Sequence, residues 1–260
     1  MINFQFQYKN TQISKDFLLT QGFHLLSRRE TFAIDDKIIA VLDVSSYGKR
    51  NCNTIILHME SGIFVTKQTS RKLMNGVYTA NGFGFAVSKF LAKELGIQTF
   101  IPLANAYFTL MPIVGASRGN ADWIAPRFIR SARLNKSNKK KLDIETIYGN
   151  KIQIDFPKGD FEKRLHSVSL INECSFLFWR HMTKVGSCQL VPPEDKGIFE
   201  PFERCNCPDH MRMRAMSQDL PKMIDDFKKY ILINLKIEEL QKIEVMKYYS
   251  QNLSRLKRLN

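Results

Sequence analysis

A chain of 260 residues with 44% hydrophobic side chains has enough apolar material to bury a core, which excludes global disorder. Its formal net charge of +14 exceeds what solubility requires and implies a polyanionic partner. No run approaches the roughly 18 uninterrupted apolar residues that cross a bilayer. The N-terminal stretch MINFQFQYKNTQISKDF lacks the basic start and apolar run of an export signal, so a cytoplasmic, nucleoid-associated protein with no membrane partner is expected. The cysteines Cys52, Cys174, Cys188, Cys205 and Cys207 are odd in number and unevenly spread, which predicts reduced thiols and no disulfide framework.

The first half reads as short strands. Lys37 to Leu42 is a compact apolar run, Asn53 to Met59 is β-branched, and Gly62 to Thr66 follows after a turn at Ser61-Gly62. Phe85, Ala86, Phe90, Leu91 and Leu95 fall at helical spacing, with Gly96 where a C-terminal cap belongs. Gly96 to Trp123 is apolar and aromatic, cut into strand lengths by Pro102, Pro112 and the Gly115–Gly119 segment. Trp123 to Arg133 and Ile144 to Tyr148 then predict a hairpin around the polar run Leu134–Lys141, with Pro126 suited to an edge strand. A turn at Gly149-Asn150 leads into a strand whose alternation places Ile152, Ile154 and Phe156 on one face.

Asp160 has the character of an N-cap for a helix carrying Phe161, Leu165 and Val168. An irregular stretch containing Pro192, Pro193, Pro201 and Pro208 precedes a long helix, which begins near Pro221 and carries Met223, Ile224, Phe227, Ile231, Leu235, Leu240 and Ile243. The expected class is α+β: an antiparallel β-sheet core with a basic β-hairpin, followed by C-terminal helices.

Taken in order, several segments resemble the competence transcription factors of the ComK type. They are Ile39-Ala40-Val41-Leu42 followed by Gly48-Lys49; Thr69-Ser70-Arg71-Lys72 with Gly76; the apolar segment up to Met111-Pro112; Trp123-Ile124; Gly149-Asn150-Lys151; Phe161-Glu162; and Lys222-Met223-Ile224-Asp225-Asp226-Phe227. The resemblance implies a 35–235 DNA-binding domain with an insertion at 174–216, an N-terminal extension over 1–34, and a helical tail over 236–260. It also implies a transcription activator that binds A/T-rich boxes upstream of DNA-uptake and recombination genes. Such a protein assembles as a homo-oligomer on double-stranded DNA, works with RNA polymerase, and is removed through a proteolytic adaptor.

The charge map agrees with that expectation. Residues 61–160 hold 15 Lys and Arg against 6 Asp and Glu, whereas residues 1–60 are nearly balanced. The candidate DNA contacts are Arg127, Arg130, Arg133, Lys136, Lys139, Lys140 and Lys141 on the hairpin, with Arg71, Lys72, Arg118 and Lys151 elsewhere. A basic ribbon of this kind lies along phosphates and can place an arginine in a narrow A/T minor groove. The run Lys139-Lys140-Lys141 is also what a solvated surface loop looks like, and Trp123 can serve as a core anchor as readily as a stacking platform.

Signals for catalysis are absent from the sequence: no Gly-x-Gly-x-x-Gly after a strand, no Walker-type loop, and no His-Glu-x-x-His. No enzyme activity and no cofactor are expected. Cys205-x-Cys207-x2-His210 with Cys188 upstream offers four soft ligands, with His181 as a substitute, but free thiols and no metal are the expectation. The alternative reading is a nucleic-acid-binding enzyme or nuclease that uses this Cys/His set.

Overall fold

A computed structural model of the chain describes residues 8, 10–48, 51–80, 85–115, 119–157, 159–184 and 188–234. The chain divides into two compact units, Met1–Ser217 and Gln218–Asn260. Its class is α+β, with two mostly antiparallel sheets followed by C-terminal helices. Among the described residues, no helix is long and apolar enough to cross a membrane.

The larger sheet has seven strands in the order β2 (Ser27–Arg29), β5 (Gly62–Thr66), β4 (Thr54–His58), β3 (Ile38–Asp43), β8 (Trp123–Ile124), β7 (Phe108–Pro112) and β6 (Leu103–Asn105). All pairs are antiparallel except β2 with β5. Strands β4 and β5 are buried along their whole length and β3 nearly so, which explains why they read as continuous apolar runs instead of alternating ones. His58 closes the β4–β5 turn: its Nδ1 accepts the Glu60 and Ser61 amides, which leaves Nε2–H to donate to Asp35 at 3.1 Å.

The smaller sheet has the order β1 (Gln12–Ile13), β11 (Lys151–Asp155), β10 (Lys141–Thr146), β9 (Ile129–Leu134), with β1 parallel to β11. Its inner face, Leu142, Ile144, Ile152 and Ile154, joins the same apolar core as β3 to β5. The predicted alternation of Ile152, Ile154 and Phe156 is found, all three being buried. Within the 1–34 segment, β1 and β2 supply an edge strand to each sheet. Between them runs the short helix α1 (Lys15–Leu19), capped by Ser14.

Two sequence signals are met by specific hydrogen bonds. Gly96, at φ +73°, ends helix α3 (Ala86–Glu94): its amide donates to Lys93 O and the Ile97 amide to Ala92 O, the paired bonds of a Schellman cap. Asp160 Oδ1 accepts the Lys163 amide and so caps α4 (Phe161–Lys184), which runs 24 residues, about 36 Å. The insertion expected to begin at 174 therefore starts inside a continuous helix. Helix α2 (Ser70–Ala80), with Thr69 accepting the Lys72 amide, was not legible as a helix. Pro208, expected in irregular chain, opens α5 (Pro208–Met216) at a position where a missing N–H costs nothing. In the second unit, α6 (Leu220–Asn234) matches the start of the expected long helix, while Leu235, Leu240, Ile243 and the 236–260 tail lie outside the described residues.

Two contacts fix the order of elements. Lys15 Nζ lies 2.8 Å from Asp122 Oδ2, with both side chains nearly covered, and Asp122 Oδ1 also accepts the Asp43 amide at 2.7 Å. Gly197, at φ +56°, opens the 3-10 stretch Gly197–Arg204 directly on the backbone of Arg127 and Ile129; a Cβ there would fall on Arg127 O and within 2.7 Å of Ile129 O. Asp122→Ala strands a covered ammonium and an amide, and is expected to cost about 3 kcal/mol in urea unfolding. Gly197→Ala is expected to cost at least about 2 kcal/mol in the same measurement, because both conformation and space are denied.

Candidate functional site

The basic hairpin exists, but its limits and its faces differ from the expectation. Pro126–Phe128 forms a 3-10 turn that separates β8 in the large sheet from β9 in the small one, so Trp123 to Arg133 is not a single strand. The ribbon proper is β9 paired with β10, Leu134 opposite Leu142 and Ser131 opposite Glu145, with a bulge at Arg130 before Ile129 meets Thr146. Leu134 and Lys141, expected in the loop, belong to the strands. The tip is Asn135–Lys140.

The tip is built, not loose. Asn135 Oδ1 accepts the amides of Ser137 and Asn138, Asn138 Oδ1 accepts that of Lys140, and the Asn135 amide closes onto Lys141 O at 2.9 Å. Asparagine organises the turn because its side chain mimics a backbone carbonyl two or three residues ahead. The Asn135 Nδ2 group in turn donates to Asp143 at 2.7 Å, tying the loop to β10.

The structure sorts the hairpin cations into two groups. Arg127 is only 17% exposed, donates to Asp36 O, lies 3.6 Å from the Asp36 carboxylate, and covers the Phe128 ring with its guanidinium 4.5 Å from the centroid. Lys141 pairs with Asp155 at 2.7 Å, which holds its ammonium above the ordinary lysine range. Arg130 donates to Ile147 O at 2.7 Å and lies 3.6 Å from Glu145, yet remains 59% exposed. By contrast Arg133, Lys136, Lys139 and Lys140 are exposed, and among the described residues none of them forms an ion pair. Asp143, directly across from Arg133, is occupied by amide donors from Gln12, Asn135 and Gln153.

The remaining candidates are dispersed. Arg71 and Lys72 sit exposed on α2, in a different layer from the ribbon. Arg71 lines a cavity of about 560 Å³ together with Lys89, Gln98 and Trp123, while Lys72 lines a groove that also carries Asp35 and Asp36. Lys151 is exposed on β11, two strands from β9. Arg118 lies outside the described residues. Trp123 is 3% exposed and serves as a core anchor.

The Cys/His set is assembled differently from its expected form. Cys205, Cys207 and His210 converge, but the fourth member is His166 on α4, whereas Cys188 is exposed beyond the end of that helix and is not among them. His210 is buried and held down to about 4 by burial, by the neighbouring His166 and by Arg214, so its ring is neutral at physiological pH. Cys174, the other thiol near α5, is pushed up to about 12 by burial and is chemically inert. His166 was missed because ligand spacing was sought within the Cys-rich segment, and its partner set lies 39 residues further along the chain.

No protein family, curated protein or solved structure matches the chain.

The two groups of cations behave differently under substitution. Arg127→Ala removes a covered, hydrogen-bonded guanidinium and is expected to lower stability by about 1–2 kcal/mol. Arg133→Ala is expected to leave thermal unfolding unchanged. Parallel melting curves of the two variants check this, and equal losses would contradict the sorting.

Proposed function

We propose that the chain is a DNA-binding transcription activator of the competence type, gripping A/T-rich duplex through the β9–β10 ribbon and catalysing no reaction. The observation that carries this reading is the preformed tip. Arg133 at the end of β9 and Lys136, Lys139 and Lys140 on the loop stand exposed, without ion-pair partners among the described residues, and the loop backbone is already hydrogen-bonded. Cations held in place lose little conformational freedom on docking, and every phosphate they neutralise releases counterions.

The geometry suits a duplex. A two-stranded ribbon fits a major groove about 12 Å wide. Its basic tip suits the narrow minor groove of A-tracts, where negative potential is deepest and width is read in place of base edges. One ribbon with four free cations gives modest affinity, so selectivity comes from several copies bound side by side on one promoter. Contact with RNA polymerase, adaptor-guided proteolysis and a cytoplasmic, nucleoid-bound location belong to the same proposal through the resemblance to ComK-type factors. The rival reading, a nuclease built on the Cys/His set, is disfavoured because four protein side chains leave no open position for a reactive water.

Combined replacement of Arg133, Lys136, Lys139 and Lys140 by alanine is expected to weaken binding to an A/T-rich duplex. The log–log salt slope should flatten by up to about 3.6, from about 0.9 per phosphate contact. Fluorescence anisotropy titrations over a salt series measure both quantities. Parental affinity and slope in the variant overturn the ribbon assignment, and equal affinity for mixed-sequence duplex removes the selective part of the proposal.

A further inference from the structure

We infer that His166, Cys205, Cys207 and His210 bind one structural zinc ion, a site that is independent of the DNA-binding reading. The four ligand atoms lie within 4.8 Å of one another. Two of the contacts are shorter still: His166 Nε2 is 3.1 Å from Cys207 Sγ, and Cys207 Sγ is 3.3 Å from His210 Nδ1. A tetrahedral zinc with Zn–S near about 2.3 Å and Zn–N near about 2.05 Å has ligand-to-ligand edges of about 3.3–3.8 Å. The side chains therefore already outline the cage, and its longest edge has to close by no more than about 1.5 Å.

The surroundings have the features of a closed metal site. The remote nitrogen of His210, Nε2, is 3.5 Å from Ser169 Oγ, whose own proton is given to His166 O at 2.8 Å. The hydroxyl oxygen is thus left to accept from Nε2–H, which fixes the tautomer that presents Nδ1 to the ion. Cys207 is the N-cap residue of α5 and its thiol caps no amide, so its sulfur is not committed to the helix end. Phe202 stacks on His210 at 6.1 Å, 9° from parallel, and meets His166 edge-on at 5.9 Å, covering the site with a ring. Arg214 ties down the ligand loop by donating to Cys205 O at 3.0 Å and to Glu203 O at 2.8 Å, and pairs with Glu173 of α4 at 3.1 Å.

The ligand set selects the ion. Two thiolates balance the charge of a divalent cation, so the filled site is neutral and its burial is cheap, while soft sulfur with imidazole in a tetrahedron favours zinc over magnesium or calcium. Binding releases the two thiol protons to solvent and replaces the sulfur–imidazole contacts with four metal bonds. The ion then joins α4 to α5 across the Pro-rich segment, stapling its C-terminal end while Gly197 seats its middle against the hairpin corner.

The test uses the full chain, untagged and purified with reductant. Elemental mass spectrometry is expected to find one zinc per chain. Cobalt(II) added to chelator-stripped protein is expected to give the visible bands of tetrahedral thiolate coordination. Cys207→Ser and His166→Gln should weaken zinc binding by more than about 100-fold, Cys188→Ser should leave it intact, and His166→Cys should retain it by keeping four soft ligands. Should a variant fail to fold, the cobalt spectrum of the parent chain still decides. The inference is overturned by substoichiometric zinc with an octahedral cobalt spectrum, by undiminished binding in a Cys205→Ser/Cys207→Ser double variant, or by a Cys205–Cys207 disulfide in protein kept reduced.

Discussion

The corner at Arg127, Phe128 and Ile129 is the constraint on which the architecture depends, since there the chain leaves the seven-stranded sheet and enters the four-stranded one. It is held from several directions at once. The Ile147 amide donates to Phe128 O at 3.0 Å, the Arg127 guanidinium reaches Asp36 on the approach to β3, and Gly197 lies on the carbonyls of Arg127 and Ile129. Segments distant in sequence therefore meet on three consecutive residues, and the close backbone approach leaves no room for a side chain at 197. A root of this rigidity sets the aim of everything beyond it, because β9 carries the tip roughly 20 Å away over six residues.

That division of labour explains why a strongly basic hairpin still carries acidic residues. Asp36 and Glu145 neutralise Arg127 and Arg130 near the base of the ribbon, and Asp155 neutralises Lys141 where β10 leaves the tip, positions at which uncompensated charge would oppose strand pairing. Near the tip, Asp143 is consumed by three amide donors and leaves Arg133 uncompensated. Charge excess is thereby concentrated at the end furthest from the core, where repulsion among Lys136, Lys139 and Lys140 is screened by water and costs the fold least.

Local signals were legible where the chemistry is local. The Asp160 cap, the Gly96 cap, the 152–154–156 alternation and the buried runs of β3 to β5 each depend on residues within a few positions of one another, and each was read from the sequence with its physical cause. The errors arose where distant partners decide. Trp123 to Arg133 looks like one strand until Pro126–Phe128 turns to satisfy two different sheets, and Arg127 looks like a reader until Asp36 arrives from 91 positions away. Helix α2 was hidden because Ser70, Thr79 and Gly76 are weak helix formers, and its placement depends on a Thr69 cap and on Ser70 accepting the Ala121 amide. Three members of the Cys/His cluster were visible as a motif, whereas His166 becomes a neighbour only when α4 and α5 pack together.

The Pro-rich segment shows why such a cluster belongs where it is. Between residues 188 and 204 the chain has no α-helix or strand, and Phe199 is its one buried apolar side chain among the described residues. Burial of one ring supplies about 2–3 kcal/mol, while ordering each residue costs about 1–2 kcal/mol, so apolar packing alone cannot hold the segment. Its order has to come from fixed points: Gly197 against the corner, the Lys196–Glu203 ion pair, Arg214 across three carbonyls, and the Cys/His cluster at the far end. Gly197 meets the hairpin corner midway along the stretch, and the Arg214 contacts and the cluster meet α4 at its C-terminal end. A metal ion at one end would therefore act on the root of the ribbon through the segment between, joining a structural site to the surface that presents the cations.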